Sequence, residues 1–246
     1  MITEKTMLKL KPHNPQAMRK KPLHSKPPGY FYDAVRLLCR PIFACTMRFR
    51  ISGLERVGDQ GGVIIAVSHV SHLDPIVVSA VLRRRISWVS RAEFYQQWFM
   101  SRVLYHGGAF RVDRKGQALP TMREGLRRLA RGEAVGIFPE GELMQGNQSV
   151  LRGARMKHGV CLLAARSGLP VVPVVVLGTD QLGRIGPWLP AKRGRLWVTV
   201  GRPICAERGV STREGRDAFA KLLTAEYVRI YAEMREMFGL PESIVP

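Results

Sequence analysis

The sequence predicts an α/β fold with a mixed, largely parallel sheet flanked by helices, preceded by an N-terminal amphipathic helical segment. Two observations support this class. After Arg50, short β-branched apolar runs alternate with longer amphipathic stretches, and turn residues separate them. Strands that alternate with helices form largely parallel sheets through right-handed crossovers. The chain has 246 residues and is 46% hydrophobic, which suits one domain with a sizeable core.

Five apolar runs bounded by turn residues are predicted to be buried strands: GVIIAVSH, ISWVSR, VGIFPEG, PVVPVVVLG and RLWVTVG. Helices are predicted between them, and the first begins with Asp74 as N-cap and Pro75 at the first helical position. Gly132 and Gly168 follow two later helical stretches, as expected of residues that end helices. The last long helix is predicted at 212–238.

The first fifty residues differ in composition from the rest. Residues 1–29 are rich in Lys and Pro and lack the apolar stretch of a signal peptide, so we expect a disordered basic tail. Residues 30–50 mix apolar and aromatic side chains with cations, and Arg36, Arg40 and Pro41 interrupt the apolar run. This pattern favours an amphipathic helix at a membrane interface, with an ordinary helix packed on the domain as the alternative. Residues 51–246 are expected to form the main domain.

The net charge of +20 predicts a polyanionic partner. A nucleic acid is not expected, because the basic residues are spread along the chain and no recognised nucleic-acid-binding signature is present. An anionic membrane surface is expected instead, since the basic tail directly precedes the amphipathic segment. The four scattered cysteines are typical of a reducing compartment. The predicted location is therefore the cytoplasmic face of a membrane, as a peripheral or monotopic protein.

Polar residues follow two predicted strands, at the edge where parallel strands end and ligands bind. His69 and Asp74 follow GVIIAV, and Glu140 and Gly141 follow VGIF. A histidine can take a proton near neutral pH, and a carboxylate can orient it. From these residues alone a helix start is an equal alternative, because Asp before Pro often begins a helix. His72 competes with His69 for the carboxylate. No metal site is predicted, because no further His, Cys, Asp or Glu adjoins these residues in the sequence.

Taken in order, these segments resemble the motifs of the glycerolipid acyltransferase family typified by 1-acylglycerol-3-phosphate acyltransferase. SHVSHLD resembles the family's N-H-x-S-x-x-D block, GAFRVDR its G-x-x-F-x-x-R block, FPEG its F-P-E-G-T-R block, MKHG its F-K-x-G stretch and PVVPV its final proline block. The resemblance extends from about Arg50 to Pro203. Each motif alone is weak, but their shared order is specific.

The resemblance implies an O-acyltransferase of phospholipid synthesis. The acyl group would come from acyl-CoA or acyl carrier protein as co-substrate, and the acceptor would be the hydroxyl of a lysophospholipid, first of all 1-acylglycerol-3-phosphate. His69 would be the general base, oriented by Asp74. Arg114 would bind phosphate, while Glu140 and Gly141 would position the acceptor and the reacting carbonyl. No metal and no other cofactor is implied.

One departure from the family affects the acceptor. Glu142 and Leu143 stand where the family has Thr-Arg. Leu143 donates no hydrogen bond from its side chain, and Glu142 repels an anion. Arg111, Arg152, Arg155 and Lys157 are the candidates to compensate, since guanidinium and ammonium groups bind phosphate, with Arg111 and Lys157 taken as substrate-binding residues. The alternative for Arg111 is a place on the other face of its strand. The alternatives are a different lysolipid, an aminoacyl-lipid acceptor, or a hydrolase that uses water in place of the acceptor. An inactive relative of these enzymes and a nucleic-acid-binding protein that uses the +20 charge are two further alternatives.

Overall fold

The structure is a computed structural model that describes residues 29–91, 95–96, 98–112, 118–184, 194–206 and 212–240. The tail expected at 1–29 lies outside these residues except for Gly29, and Arg114 lies outside them as well. The helices are α1 Tyr30–Thr46, α2 Asp74–Val81, α3 Trp98–His106, α4 Ala118–Ala130, α5 Gly159–Ser167 and α6 Arg213–Phe238. The strands are β1 Met47–Ser52, β2 Val63–Val67, β3 Ile86–Arg91, β4 Phe110–Val112, β5 Ala134–Ile137, β6 Val171–Leu177 and β7 Gly194–Val200.

The strands form one seven-stranded sheet in the order β1-β7-β6-β2-β5-β3-β4. Five neighbouring pairs are parallel, and only β6 and β7 pair in the antiparallel sense. The predicted fold class is therefore confirmed, and each of the five predicted strands is present as β2, β3, β5, β6 or β7. Because β2, β3, β5 and β6 run in the same direction, their carboxyl ends lie along one edge of the sheet.

The centre of the sheet is buried on both faces. In β2, Ile64 and Ala66 pack into the core formed with α5 and α6, while Ile65 and Val67 pack into the core formed with α1 and α2. Every residue of β2 and β6 is buried. This two-sided burial explains why both strands are continuous apolar runs without polar alternation.

A side chain caps one of the later helices, and the predicted end of another is confirmed. The hydroxyl of Thr212 accepts a 3.0 Å hydrogen bond from the backbone N–H of Gly215 and so caps α6. Gly168 ends α5 at a φ of 68°, in the left-handed region that glycine adopts without strain. The start of α6 and the end of α5 therefore each have a local chemical cause.

The N-terminal segment forms helix α1, as predicted, but the helix ends at Thr46 and residues 47–50 belong to β1. Two arginines of α1 bind the end of α2 and the segment that follows it. The guanidinium of Arg36 donates a 2.7 Å hydrogen bond to the backbone carbonyl of Arg83, and that of Arg40 donates a 3.0 Å hydrogen bond to the carbonyl of Ala80. The opposite face of α1 presents exposed apolar side chains, among them Tyr30, Leu37, Leu38 and Ile42. None of the helices in the described part of the chain is long and apolar enough to cross a bilayer.

Candidate active site

The two segments singled out by the sequence meet at the carboxyl edge of the sheet. His69 follows β2 and Glu140 follows β5, and the Glu140 carboxylate accepts a 2.7 Å hydrogen bond from the backbone N–H of His69. Thr179 follows β6 at the same edge, and Arg91 ends β3. The expectation that His69 and Glu140 share one rim therefore agrees with the structure, and two further residues join them there.

His69 and Asp74 form a hydrogen-bonded pair. The distance from Nδ1 of His69 to Oδ2 of Asp74 is 3.0 Å, and the Asp74 side chain is fully buried whereas the His69 ring keeps 14% of its surface exposed. The backbone N–H groups of Val70 and Ser71 also donate to Oδ2, each at 2.9 Å, and the Thr179 hydroxyl donates to Oδ1 at 2.6 Å. Since these three partners are all donors, the carboxylate acts as an acceptor toward Nδ1, and the lone pair of the neutral ring lies on Nε2.

Asp74 does not cap helix α2 as predicted. Leu73 occupies the N-cap position, no side chain caps it, and Asp74 is the first helical residue. The carboxylate turns back toward the preceding loop because three donors there and the Thr179 hydroxyl hold it. Within that loop the Ser71 hydroxyl accepts a 3.2 Å hydrogen bond from the N–H of Leu73. Asp74 therefore orients the histidine and the loop that carries it.

The Glu140 carboxylate joins three segments of the rim. Its Oε2 accepts from the N–H of His69, and its Oε1 accepts from the hydroxyl of Ser149 at 3.1 Å and the N–H of Val150 at 3.0 Å. The N–H of Met144 donates to the carbonyl of His69 at 3.1 Å, so the backbone of His69 is held on both sides. Burial raises the pKa of Glu140, and the three donors oppose this shift.

An aromatic stack supports the imidazole of His69. The Phe138 ring lies 3.9 Å from it between centroids, at an interplanar angle of 22°, and the Trp88 ring stacks on the far side of Phe138 at 5.2 Å. The indole N–H of Trp88 donates a 2.9 Å hydrogen bond to the hydroxyl of Ser79. Helix α2 thus anchors both ends of the stack, through Asp74 at one end and Ser79 at the other.

Charged groups surround the turn at Gly141. Gly141 has a φ of 75°, a left-handed conformation that favours glycine, and the side chain of Lys157 packs against it. Its carbonyl accepts a 3.4 Å hydrogen bond from the guanidinium of Arg91. The ammonium of Lys157 lies 2.9 Å from the carboxylate of Glu142. Gly141 and Lys157, both predicted site residues, are therefore neighbours on the rim.

The other predicted residues lie elsewhere. Arg111 is exposed on β4, with its guanidinium 5.3 Å above the ring of Tyr95, and none of the described contacts joins it to His69. Arg114 lies outside the described residues. The His72 ring stands 6.3 Å from that of His69 between centroids, in an edge-on arrangement. The carboxylate of Asp74 bonds to His69, which decides between the two histidines.

Sequence reasoning missed Thr179, Arg91 and the role of Phe138. The rule that led to His69 and Glu140 also applies to Thr179, because it directly follows the strand run PVVPVVVLG. Arg91 is the last residue of the predicted strand ISWVSR, so the same rule would have placed it at this edge of the sheet. Phe138 offered no such signal, since only the folded chain shows that its ring lies on an imidazole.

Comparison with known proteins now decides the family. The family model described as Acyltransferase matches residues 48–177, which is more than half of the chain. The chain belongs to this acyltransferase family. The predicted family is thus confirmed, and the match includes His69, Asp74, Glu140 and Lys157.

Several acyltransferases are similar to this chain in sequence. The 1-acyl-sn-glycerol-3-phosphate acyltransferase of Helicobacter pylori is 27% identical over 197 residues, covering 78% of this chain and 81% of that protein. The enzyme of the same name from Bacillus subtilis is 24% identical over 156 residues, covering 63% and 73%. An N-acylphosphatidylethanolamine synthase of Arabidopsis thaliana is 30% identical over 164 residues, covering 58% and 56%.

A solved structure has the same fold. The 1-acyl-sn-glycerophosphate acyltransferase of Thermotoga maritima superposes with a TM-score of 0.64 at 16% sequence identity, covering 84% of this chain and 80% of that one. The similarity covers a larger share of this chain than the family match, so it supports the α/β fold described here.

Proposed function

We propose that this acyltransferase moves a fatty acyl group from acyl-CoA or acyl carrier protein to the hydroxyl of a lysophospholipid, with 1-acylglycerol-3-phosphate as the first acceptor to test. The observation that supports this most directly is the pair of His69 and Asp74, whose geometry leaves Nε2 as the basic nitrogen. The names of the bacterial relatives support the acceptor.

The proposed reaction needs one proton carrier. Nε2 of His69 removes the proton of the acceptor hydroxyl while the oxygen attacks the thioester carbonyl. The C–O ester bond forms, the C–S bond breaks, and the thiolate leaves with the proton that His69 took. Asp74 stabilises the imidazolium between these two transfers. No metal or other cofactor is required by this chemistry, because the thioester is already activated.

Glu140 has an indirect role in this proposal. Both of its carboxylate oxygens accept hydrogen bonds from the protein, and the residue is only 3% exposed. It therefore positions the backbone of His69, and through it the imidazole, while the acceptor itself contacts more exposed groups. Lys157 is one such group, since its ammonium is about half exposed beside the rim. Arg111 and Arg114 remain predicted contributors to phosphate or donor binding.

Helix α1 supports action at a membrane surface. Tyr30, Leu37, Leu38 and Ile42 recur at helical spacing, and Leu37 is 74% exposed. The net charge of +20 would add attraction to anionic headgroups. We propose that this face lies in the headgroup region of the cytoplasmic leaflet, where a lysophospholipid acceptor is also located.

A product assay tests the function. Purified protein would be incubated with acyl-CoA or acyl carrier protein thioester and a panel of acceptors: 1-acylglycerol-3-phosphate, lysophosphatidylethanolamine, an aminoacyl lipid and water alone. Mass spectrometry would identify the products. We expect acceptor-dependent formation of a diacyl product. Free fatty acid released at the same rate with and without acceptor would instead show a hydrolase.

A further inference from the structure

One acidic side chain lies among the cations of the rim. The Glu142 carboxylate is 2.9 Å from the ammonium of Lys157 and 3.8 Å from the guanidinium of Arg91. Arg91 comes from the end of β3, and Lys157 from the loop that leads into α5. Three separate segments thus bring two positive charges and one negative charge together, which leaves a net charge of +1.

This group lies beside the catalytic histidine. Glu140 and Met144 both bind the backbone of His69, one through its carboxylate and the other through its N–H. Glu142 is two residues from each of them in the chain, so its Cα lies within about 7 Å of the Cα of either residue, the span of two extended residues. A headgroup attached to a hydroxyl at Nε2 of His69 is therefore within reach of the charged group.

The three side chains are open to a ligand. Their exposed fractions are 44% for Glu142, 53% for Lys157 and 37% for Arg91. Ion pairs with this exposure contribute little to folding stability. Folding stability therefore does not explain why these three charged side chains lie together. The Glu142 carboxylate can also exchange one of them for a ligand at a small cost in free energy.

The charges of this group distinguish two kinds of headgroup. A phosphate monoester carries nearly two negative charges at neutral pH, whereas a phosphodiester carries one. Arg91 and Lys157 attract both kinds of phosphate. The Glu142 carboxylate beside them repels the doubly charged monoester more strongly than the singly charged diester. The carboxylate also offers a partner for the ammonium of an ethanolamine phosphodiester, whose phosphate can bind Arg91 and Lys157.

We propose that Glu142, set between Arg91 and Lys157, determines headgroup selectivity by disfavouring phosphate monoesters relative to zwitterionic phosphodiesters. This inference rests on the proposed acyl transfer to a lysophospholipid and assigns the residue that tunes the choice of acceptor. The proposal concerns the ratio of activities with phosphate monoester and zwitterionic phosphodiester acceptors. It therefore applies whichever class of acceptor the native protein uses faster.

The test compares Glu142→Gln with the native chain. The variant keeps the size of the side chain and removes its charge. With 1-oleoylglycerol 3-phosphate and 1-oleoyl lysophosphatidylethanolamine as acceptors, we expect the ratio of kcat/KM values to move about two- to fivefold toward the phosphate monoester. The change should lie mainly in KM. Glu55→Gln is the matched control, because Glu55 is exposed on the segment after β1 and pairs with Arg56.

A binding measurement separates this inference from the proposed function. Calorimetry with glycerol 3-phosphate and glycerophosphoethanolamine uses the two headgroups without acyl transfer. We expect Glu142→Gln to tighten binding of glycerol 3-phosphate by about two- to fivefold relative to glycerophosphoethanolamine, and Lys157→Gln to weaken binding of both. An unchanged ratio in Glu142→Gln, or unchanged binding in Lys157→Gln, would overturn the inference. Absence of acyl transfer with these binding changes intact would overturn only the proposed function.

Discussion

The hydroxyl of Thr179 donates a 2.6 Å hydrogen bond to Oδ1 of Asp74, from a position 105 residues further along the chain. The other carboxylate oxygen faces His69 and the N–H groups of its loop. Thr179 therefore fixes the rotation of the carboxylate about its own bond and ties the end of β6 to the start of α2. Thr179 thus holds the orientation of the hydrogen-bonded pair of Asp74 and His69.

Replacing Thr179 by Val should lower kcat while KM changes little. The methyl group cannot donate, so a buried carboxylate oxygen loses its partner and the pair is less well oriented. We expect at least about a tenfold loss in kcat and about 1–3 kcal/mol less stability. Steady-state kinetics and urea unfolding measure the two effects. Thr179→Ser, which keeps the hydroxyl, should restore most of kcat, and a Thr179→Val protein with native kcat would contradict this role.

The stability contributed by Glu140 should fall as pH rises. Burial raises the pKa of Glu140 above the ordinary value of 4.5, so just above pH 4.5 the folded protein holds a proton that the unfolded chain has released. Stability then decreases with rising pH through this interval, by about 1.4 kcal/mol for each unit of the shift. The measurement is the unfolding free energy of the native chain minus that of Glu140→Gln, taken from pH 4 to 8. We expect this difference to become smaller as the pH rises. A difference that is constant or grows with pH would refute this assignment.

Removing the ring of Phe138 should slow catalysis. Phe138→Leu keeps an apolar side chain but leaves the imidazole of His69 without its stacked neighbour. Because such ring contacts contribute about 0.5–1.5 kcal/mol, we expect kcat to fall about two- to tenfold. Phe138→Tyr retains the stack and serves as the control. If the Leu and Tyr variants have equal kcat, the ring is not needed to hold His69.

Charges on the exposed face of α1 should weaken membrane binding. Leu37→Glu and Leu38→Glu each remove an apolar contact with the bilayer and add repulsion from anionic lipids, so we expect at least about tenfold weaker binding to anionic vesicles in sedimentation. Leu222→Glu is the control, because Leu222 is 55% exposed on α6, which packs on the other face of the sheet. Equal losses in all three variants would mean that α1 is not the contact face.

Local chemistry predicted much of the fold. The buried strands were predicted from apolar runs, and the end of α5 was predicted from Gly168. The boundary between α1 and β1 was less clear because the apolar and aromatic residues continue through it. Alternation of Met47, Phe49 and Ile51 with arginines and a serine was the available signal for the strand.

The site was predictable only in part. The strand-end rule identified His69 and Glu140, since a strand and its following loop are local features. One partner of the Asp74 carboxylate was not local, because Thr179 lies 105 residues further along the chain. Glu142 is a similar case. Its negative charge was evident in the sequence, but its proximity to Arg91 depends on how the strands pack together.

The most direct test is acyl transfer by His69→Ala. If His69 is the general base, this variant should lose about 10²- to 10⁴-fold in the rate of transfer of a labelled acyl group while its circular dichroism spectrum stays native. His72→Ala should retain most of the activity, because His72 is exposed and Asp74 bonds to His69 instead. A folded His69→Ala protein that transfers the acyl group at the native rate would contradict the proposed mechanism.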